Sequence, residues 1–170
     1  GIKIAQDAFS FQLKQLIDRM NFHDKQIEAL DIEIMKYYEQ FDCYLHTIPG
    51  IGIIGAATIL AEIGDISRFK NSSALVAFAG IDPTVRQSGE FNSTHNHMSK
   101  RGSPYLRHAI FLAATTCSFH NSPLNAYYKK KRDQGKHHLT ATGAVARKLT
   151  TVISYAVLRD SKPYEPKKFC

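Results

Sequence analysis

Residues 8–47 contain neither glycine nor proline, and apolar or aromatic side chains recur among them at alternating spacings of three and four. The members of this stripe, interrupted only by His23, are Leu13, Leu16, Met20, Ile27, Leu30, Ile34, Tyr37, Phe41 and Tyr44. More than four heptads at this period predict one long helix with a coiled-coil seam. Because such a helix cannot bury its stripe on itself, residues 1–46 are interpreted as a homo-oligomerisation helix. Packing of the stripe onto the rest of the chain is the alternative. Pro49 is predicted to end the helix.

The remaining residues predict a mainly α-helical domain, residues 47–160, built as a compact bundle of about five shorter helices. Helices are expected over 56–63, from a cap at Asn71–Ser73 to Ala79, from Ser103 to about His120, from Asn121–Pro123 to Gly135, and from Thr140 or Thr142 to about Leu158. Polar residues 85–91 are expected to form a small hairpin that turns at Ser88–Gly89. A basic tail, residues 161–170, is expected to fray.

The charges are distributed unevenly along the chain. Residues 1–65 carry ten acidic and five basic side chains, a net charge of −5, whereas residues 99–170 carry fourteen basic and three acidic ones, a net charge of +11. This asymmetry indicates that the C-terminal half binds a polyanion, most commonly nucleic acid. A solvated basic surface is the alternative.

Compartment and metal content follow from what the sequence lacks. It has no apolar run long enough for a membrane span and no leader with a cleavage site, so a cytoplasmic location is expected. Three widely spaced cysteines predict neither disulfides nor a zinc ribbon. His95 and His97 lack further ligands in sequence, so no metal site is predicted in this chain.

The segment Ile48-Pro-Gly-Ile-Gly52 has the form of a helix-hairpin-helix turn. Gly50 and Gly52 let the backbone turn sharply, and unpaired N–H groups at the start of the following helix could hold a backbone phosphate. A plain helix–helix turn is the alternative. A basic run, Lys129, Lys130, Lys131 and Arg132, predicts phosphate contacts or, equally, a solvated helix face.

Ser99 is the chemical candidate. A serine hydroxyl becomes a nucleophile when a base takes its proton, and attack on a phosphodiester builds negative charge that fixed cations stabilise. The neighbouring candidates for that stabilisation are Lys100, Arg101 and Arg107, together with Arg86 from the expected hairpin. A solvent loop before the Ser103-capped helix is the alternative.

The order of several motifs makes the chain resemble a known family. They are Ile48-Pro-Gly-Ile-Gly52, Ala56-Ala-Thr-Ile-Leu-Ala-Glu-Ile-Gly-Asp65, Arg68-Phe69, Leu75-Val-Ala-Phe-Ala-Gly80, Gln87-Ser-Gly89, Ser99-Lys-Arg-Gly102 and Tyr105-Leu-Arg107. Residues 46–120 thereby resemble the C-terminal transposase domain of the insertion sequence one-hundred-and-ten family, whose relatives include the Piv DNA invertases. The resemblance implies that Ser99 attacks DNA and forms a phosphoserine link.

The same resemblance implies partners that lie beyond this chain. Family members carry a RuvC-like domain with an acidic metal site, where Mg²⁺ is expected, and use a structured bridge RNA to choose DNA. They act in the nucleoid of bacteria or archaea. No such acidic segment is found in this sequence, so we expect the coiled coil and serine domain of a longer recombinase, nearly inactive alone. The rival hypothesis is a non-catalytic helix-hairpin-helix module that binds nucleic acid and dimerises.

Overall fold

A computed structural model describes residues 2–84, 87–88, 91–92, 97–120 and 123–166. By its internal contacts the chain divides into two compact units, Gly1–Gln40 and Phe41–Cys170. None of the helices in the described ranges is long and apolar enough to cross a membrane.

The first unit is one helix, α1, which spans Ile2–Tyr38. At 1.5 Å per residue it is about 55 Å long. Large apolar side chains are exposed along it, with exposed fractions between 55% and 65% at Leu13, Leu16, Met20, Ile27 and Leu30. The predicted long helix is confirmed, and its association with a second copy stays a prediction.

The predicted end of α1 was wrong. The helix was expected to continue through residue 46 to Pro49, but it ends at Tyr38. Downstream, Leu45 and Ile48 are fully buried in the core of the second unit. Leu45 begins a single 3-10 turn, Leu45–Thr47, instead of a further turn of α-helix. Burial of these side chains outweighs the local preference to continue the stripe, as tertiary context commonly does.

In the part of the second unit that the structure describes, five α-helices form a bundle. They are α2 (Ile53–Ile63), α3 (Ser72–Ala79), α4 (Pro104–Phe119), α5 (Pro123–Asp133) and α6 (His138–Val152), the last continuing as a π-helical segment, Ile153–Leu158. The central helix is α4, which packs on the other four, and α6 packs on α3, α4 and α5. The mainly helical class and the five-helix bundle are confirmed.

Side-chain caps begin these helices. Asn71 Oδ1 accepts from the N–H of Ala74 at 2.9 Å, and Ser103 Oγ accepts from the N–H of Leu106 at 3.1 Å, as the sequence predicted. The last helix begins earlier than its predicted start at Thr140 or Thr142. The ring nitrogen of His137 accepts from the N–H of Leu139 at 3.3 Å and replaces the expected threonine hydroxyl as the cap.

Two short strands follow α3. Strand β1 (Gln87–Ser88) pairs antiparallel with β2 (Phe91–Asn92), which is compatible with the expected hairpin. Of the expected turn residues, Ser88 lies in β1, and Gly89 lies outside the described ranges.

The tail was expected to fray, and at Tyr164 this expectation was wrong. Tyr164 is buried, and its N–H donates to the hydroxyl of Thr47 at 2.8 Å. An aromatic side chain that finds a core contact anchors a terminus that composition alone would leave loose.

Candidate active site around Ser99

Backbone pairing between two extended segments fixes the position of Ser99. The chain leaves α3 through Gly80, whose left-handed backbone (φ +65°) turns it sharply. Residues 80–84 then run antiparallel to residues 97–100. Three backbone hydrogen bonds join them: Thr84 N–H to His97 O at 2.7 Å, Ser99 N–H to Asp82 O at 2.9 Å, and Lys100 N–H to Gly80 O at 3.0 Å. Ser99 therefore lies on a tethered backbone beside Asp82.

The side chains of the same two residues are also joined. The Ser99 hydroxyl donates to Asp82 Oδ1 at 2.5 Å, and both residues are partly buried. This distance is at the short end of the range for O–H···O hydrogen bonds. Asp82 can thus orient the hydroxyl and receive its proton, which is the activation that a serine nucleophile needs. Sequence reasoning missed Asp82, because the hydrogen bond joins residues 17 positions apart.

Gly102 lets the loop after Ser99 lie directly on α3. A Cβ atom at Gly102 would come within 1.8 Å of the carbonyl oxygen of Phe78, so no larger residue fits. The next residue, Ser103, donates its N–H to that same oxygen at 2.7 Å. Lys100, one residue past the serine, adopts a left-handed backbone with φ +54°, which is rare outside glycine. The Ser-Lys-Arg-Gly segment is therefore tightly constrained, unlike an ordinary solvent loop.

The predicted phosphate-binding cations near Ser99 occupy different situations. Lys100 and Arg101 are exposed, so their charges can reach a ligand. Arg107 is partly buried, and its Nη1 donates to the carbonyl oxygen of Ala79 at 3.3 Å, which ties α4 to the end of α3. Arg86 lies outside the described residues.

Ser103, Glu62 and Asp65 form hydrogen bonds that stabilise the fold locally. Ser103 Oγ donates to Glu62 Oε2 at 2.6 Å while it caps α4. Asp65 accepts from the N–H and the hydroxyl of Ser67, and these bonds lower the pKa of its carboxyl. Within the described ranges no group of three or more His, Cys, Asp and Glu side chains could hold a metal ion.

The glycine turn before α2 packs against α4. Gly50 has φ +90°, and a Cβ there would lie 2.9 Å from the backbone nitrogen and Sγ of Cys117. The buried Cys117 thiol donates to the carbonyl oxygen of Pro49 at 2.6 Å, and burial raises its pKa to about 11. Gly52 is exposed at the start of α2, and a Cβ there would meet nothing within 4 Å. Of the two glycines, Gly50 is half-buried and has a packing role, whereas Gly52 is exposed.

The four cations of the basic run on α5 have different surroundings. Lys129 and Lys130 are exposed, whereas Arg132 donates to the carbonyl oxygen of Lys136 at 2.8 Å and so closes the end of the helix. Lys131 contacts an aromatic side chain instead: its Nζ lies 5.4 Å from the ring centre of Tyr127. Three of the four cations, Arg132 included, are thus exposed, and Lys131 is half-buried.

Comparison with known proteins identifies the family. Residues 42–129 match the profile of the IS116/IS110/IS902 transposase family. The chain belongs to this family. It is 35% identical over 146 residues to an insertion element IS110 protein of 43.6 kDa from Streptomyces coelicolor, covering 84% of this chain and 35% of that protein. It is 32% identical over 173 residues to a pilin gene-inverting protein of Moraxella bovis, covering 95% of this chain and 52% of that protein.

This transposase-family chain therefore spans about a third to a half of the length of these relatives. The family match includes the Ser99–Asp82 pair and Gly102, and it ends within α5. The core of the candidate site thus lies in the part of the chain that defines the family, while α6 lies beyond that match.

Proposed function

We propose that this chain supplies the serine nucleophile of a DNA transposase or site-specific recombinase, with Ser99 as the attacking residue. The observation that carries the proposal is the 2.5 Å hydrogen bond from the Ser99 hydroxyl to Asp82, held by backbone pairing on both sides. The names of the relatives, insertion element proteins and a pilin gene-inverting protein, support DNA rearrangement as the context.

In the proposed step, Asp82 accepts the proton that Ser99 loses. Ser99 Oγ forms a bond to the phosphorus of a DNA phosphodiester as its proton passes to the Asp82 carboxylate. The bond from phosphorus to one sugar oxygen breaks, and that oxygen takes a proton from solvent. Rejoining is the reverse: a sugar hydroxyl attacks the phosphorus of the phosphoserine and loses its proton to solvent, the bond from phosphorus to Ser99 Oγ breaks, and Ser99 Oγ takes back the proton from Asp82. The covalent link conserves the energy of the phosphodiester bond between the two steps.

Lys100 and Arg101 supply the positive charge for this step. Attack builds negative charge on the phosphate oxygens, which cations close to the phosphorus stabilise. Both side chains are exposed next to the nucleophile, whereas Arg107 is bound to Ala79 and acts by positioning. Exposed Gly52 remains the candidate for a remote backbone phosphate.

The remaining partners are proposed from the family resemblance. Mg²⁺ would be held by a RuvC-like domain of the longer protein, and no step above is routed through it. A structured guide RNA would select the DNA, and α1 would join two copies through its exposed seam. The length of the relatives leaves room for such a further domain.

A substitution of Ser99 in the complete recombinase tests the proposal. Ser99→Ala is expected to abolish both strand exchange and the covalent protein–DNA adduct that a denaturing gel detects. Ser103→Ala is the matched control, since that hydroxyl caps α4 and binds Glu62. It is expected to lower the melting temperature and keep the adduct. Strand exchange at near wild-type rates in Ser99→Ala would overturn the proposal, and DNA binding without any adduct in the wild type would favour the non-catalytic module.

A further inference from the structure

A basic cleft of about 720 Å³ opens between α3 on one side and α5 and α6 on the other. Its wall includes Asp82, the hydrogen-bond partner of Ser99, at the end where the chain has just left α3. Ser72 and Ser73, in the first turn of α3, line the opposite end. With eight residues, α3 itself spans about 10 Å along this wall.

Cations dominate the wall that faces α3. Lys131 comes from α5, Lys136 from the loop that follows it, and Arg147 and Lys148 from α6. Among the described residues that line the cleft, four carry cationic side chains and one, Asp82, carries a carboxylate. A cleft with one sign of charge and protein walls concentrates a ligand of the opposite sign.

Tyr127 holds two of these cations in place. Lys131 Nζ lies 5.4 Å and Lys148 Nζ 4.8 Å from the centre of its ring. Cation–π contacts of this kind fix ammonium groups that would otherwise move freely. Residues 140, 144, 147, 148 and 151 recur at spacings of one helical turn, so one face of α6 lines the cleft along its length. The positive charge is thus preorganised along a path.

We propose that this cleft binds the sugar–phosphate backbone of the DNA strand that reacts at Ser99, on one side of the scissile phosphate. The inference rests on the proposed function for the identity of that strand. Along a duplex the phosphates of one strand rise by about 3.4 Å each along the helix axis. Because the backbone winds around that axis, neighbouring phosphates are further apart than this rise, so a path of about 10 Å accommodates about two of them. The cations hold these phosphates, the α3 end with Ser72 and Ser73 holds the most distant one, and Asp82 marks the reacting end.

A pair of charge-matched double variants tests the cleft. Arg147→Gln with Lys148→Gln removes two cleft cations, and Lys129→Gln with Lys130→Gln removes two exposed cations that do not line it. Affinity for a short mixed-sequence DNA duplex is measured against salt concentration. The cleft variant is expected to lower the slope of log K against log salt by about two, because each phosphate contact contributes about one. The control variant is expected to keep the wild-type slope.

Lysine acetylation, read by mass spectrometry with and without the same duplex, gives a second measurement on the unmutated chain. DNA is expected to protect Lys131, Lys136 and Lys148 and to leave Lys129 and Lys130 reactive. If the double variant melts far below the wild type, the protection of these lysines from acetylation tests DNA binding in the cleft without any substitution. Equal slope losses in both variants, protection of the exposed pair alone, or a loss confined to an RNA duplex of the same sequence would overturn the inference.

The outcome is separable from that of the proposed function. Ser99→Ala is expected to bind the duplex as tightly as the wild type, since Ser99 does not line the cleft. If the cleft variant binds normally while Ser99→Ala is inactive, the cleft inference fails alone. If the cleft variant loses binding while Ser99→Ala still exchanges strands, the proposed nucleophile fails and the binding path stands.

Discussion

The Ser99 hydroxyl donates a 2.5 Å hydrogen bond to the Asp82 carboxylate, and the backbone N–H of Ser99 donates to the backbone oxygen of the same aspartate. The proposed nucleophile and the proposed proton acceptor are therefore set opposite each other by strand-like pairing, so their alignment does not depend on side-chain rotamers alone. A pair fixed in this way loses little entropy when a phosphodiester arrives.

Asp82→Asn separates the charge of this residue from its shape. The amide oxygen can still accept from Ser99, so the geometry is kept, but it cannot take the proton. We expect strand cleavage to slow by about 10²- to 10⁴-fold, the usual contribution of a general base. DNA affinity is expected to stay the same or to rise, because the substitution removes a carboxylate that repels phosphates from the cleft wall. Glu62→Gln is the control, since Glu62 binds Ser103 and is expected to affect stability only. Cleavage by Asp82→Asn within a few-fold of the wild-type rate, measured in a single turnover, would remove Asp82 from the mechanism.

Gly102→Ala tests the contact between the serine loop and α3. The new methyl group would lie 1.8 Å from the carbonyl oxygen of Phe78, so the loop and the helix must separate. The expected cost is about 2–4 kcal/mol of unfolding free energy. In α6, Gly143→Ala meets only the Phe111 ring at 3.8 Å and is expected to stabilise the protein by about 0.5–1 kcal/mol. Thermal unfolding of the two variants should shift in opposite directions, and a wild-type midpoint for Gly102→Ala would show that the loop is not clamped.

Local signals in the sequence were enough to predict most helices of the second unit. Caps at Asn71 and Ser103 act through the next three residues, so a short window contains the whole interaction. Ser99 could be singled out in the same way, from its neighbours and its family motif.

Features that depend on distant residues could not be predicted in this way. The partner of Ser99 lies 17 positions away, and Tyr164 binds Thr47 across 117 positions. The end of α1 at Tyr38 likewise reflects the burial of Leu45 in the bundle, where the heptad stripe alone indicated a longer helix. The basic cleft combines α3, α5 and α6, and a count of charges along the chain cannot show which cations share a wall.

Association through α1 is tested by two matched substitutions. Leu30 lies on the predicted seam and Ile32 does not, yet their side chains are similarly exposed at 62% and 65%. If two copies pair through the seam, Leu30→Glu removes about 1.5–3 kcal/mol of burial from each chain. The dissociation constant, measured by sedimentation equilibrium, is then expected to rise at least about a hundredfold, while Ile32→Glu leaves it nearly unchanged. Equal effects of both changes, or a monomeric wild type, would contradict pairing through this seam.

The thiol of Cys117 predicts a loss of stability at high pH. Burial raises its pKa from an ordinary value of 9.0 to about 11, so the folded protein keeps the proton over a range in which the unfolded chain has lost it. The free energy of unfolding therefore falls as the pH rises from 9 to 11. The stability that the buried, protonated thiol provides is fully present only below pH 9. At about 1.36 kcal/mol per pKa unit, the rise from 9.0 to about 11 corresponds to a loss of roughly 2–3 kcal/mol at most.

Cys117→Ser isolates this contribution. The serine hydroxyl can still donate to Pro49 O but does not ionise in this range, and the other titrating groups are common to both proteins. Whatever constant offset the substitution brings, the stability of the wild type relative to the variant is expected to fall between pH 9 and pH 11. Urea unfolding at several pH values measures that difference. Parallel pH profiles for the two proteins would mean that Cys117 ionises as easily in the folded state as in the unfolded one, and that Gly50 packs against a thiol that water reaches.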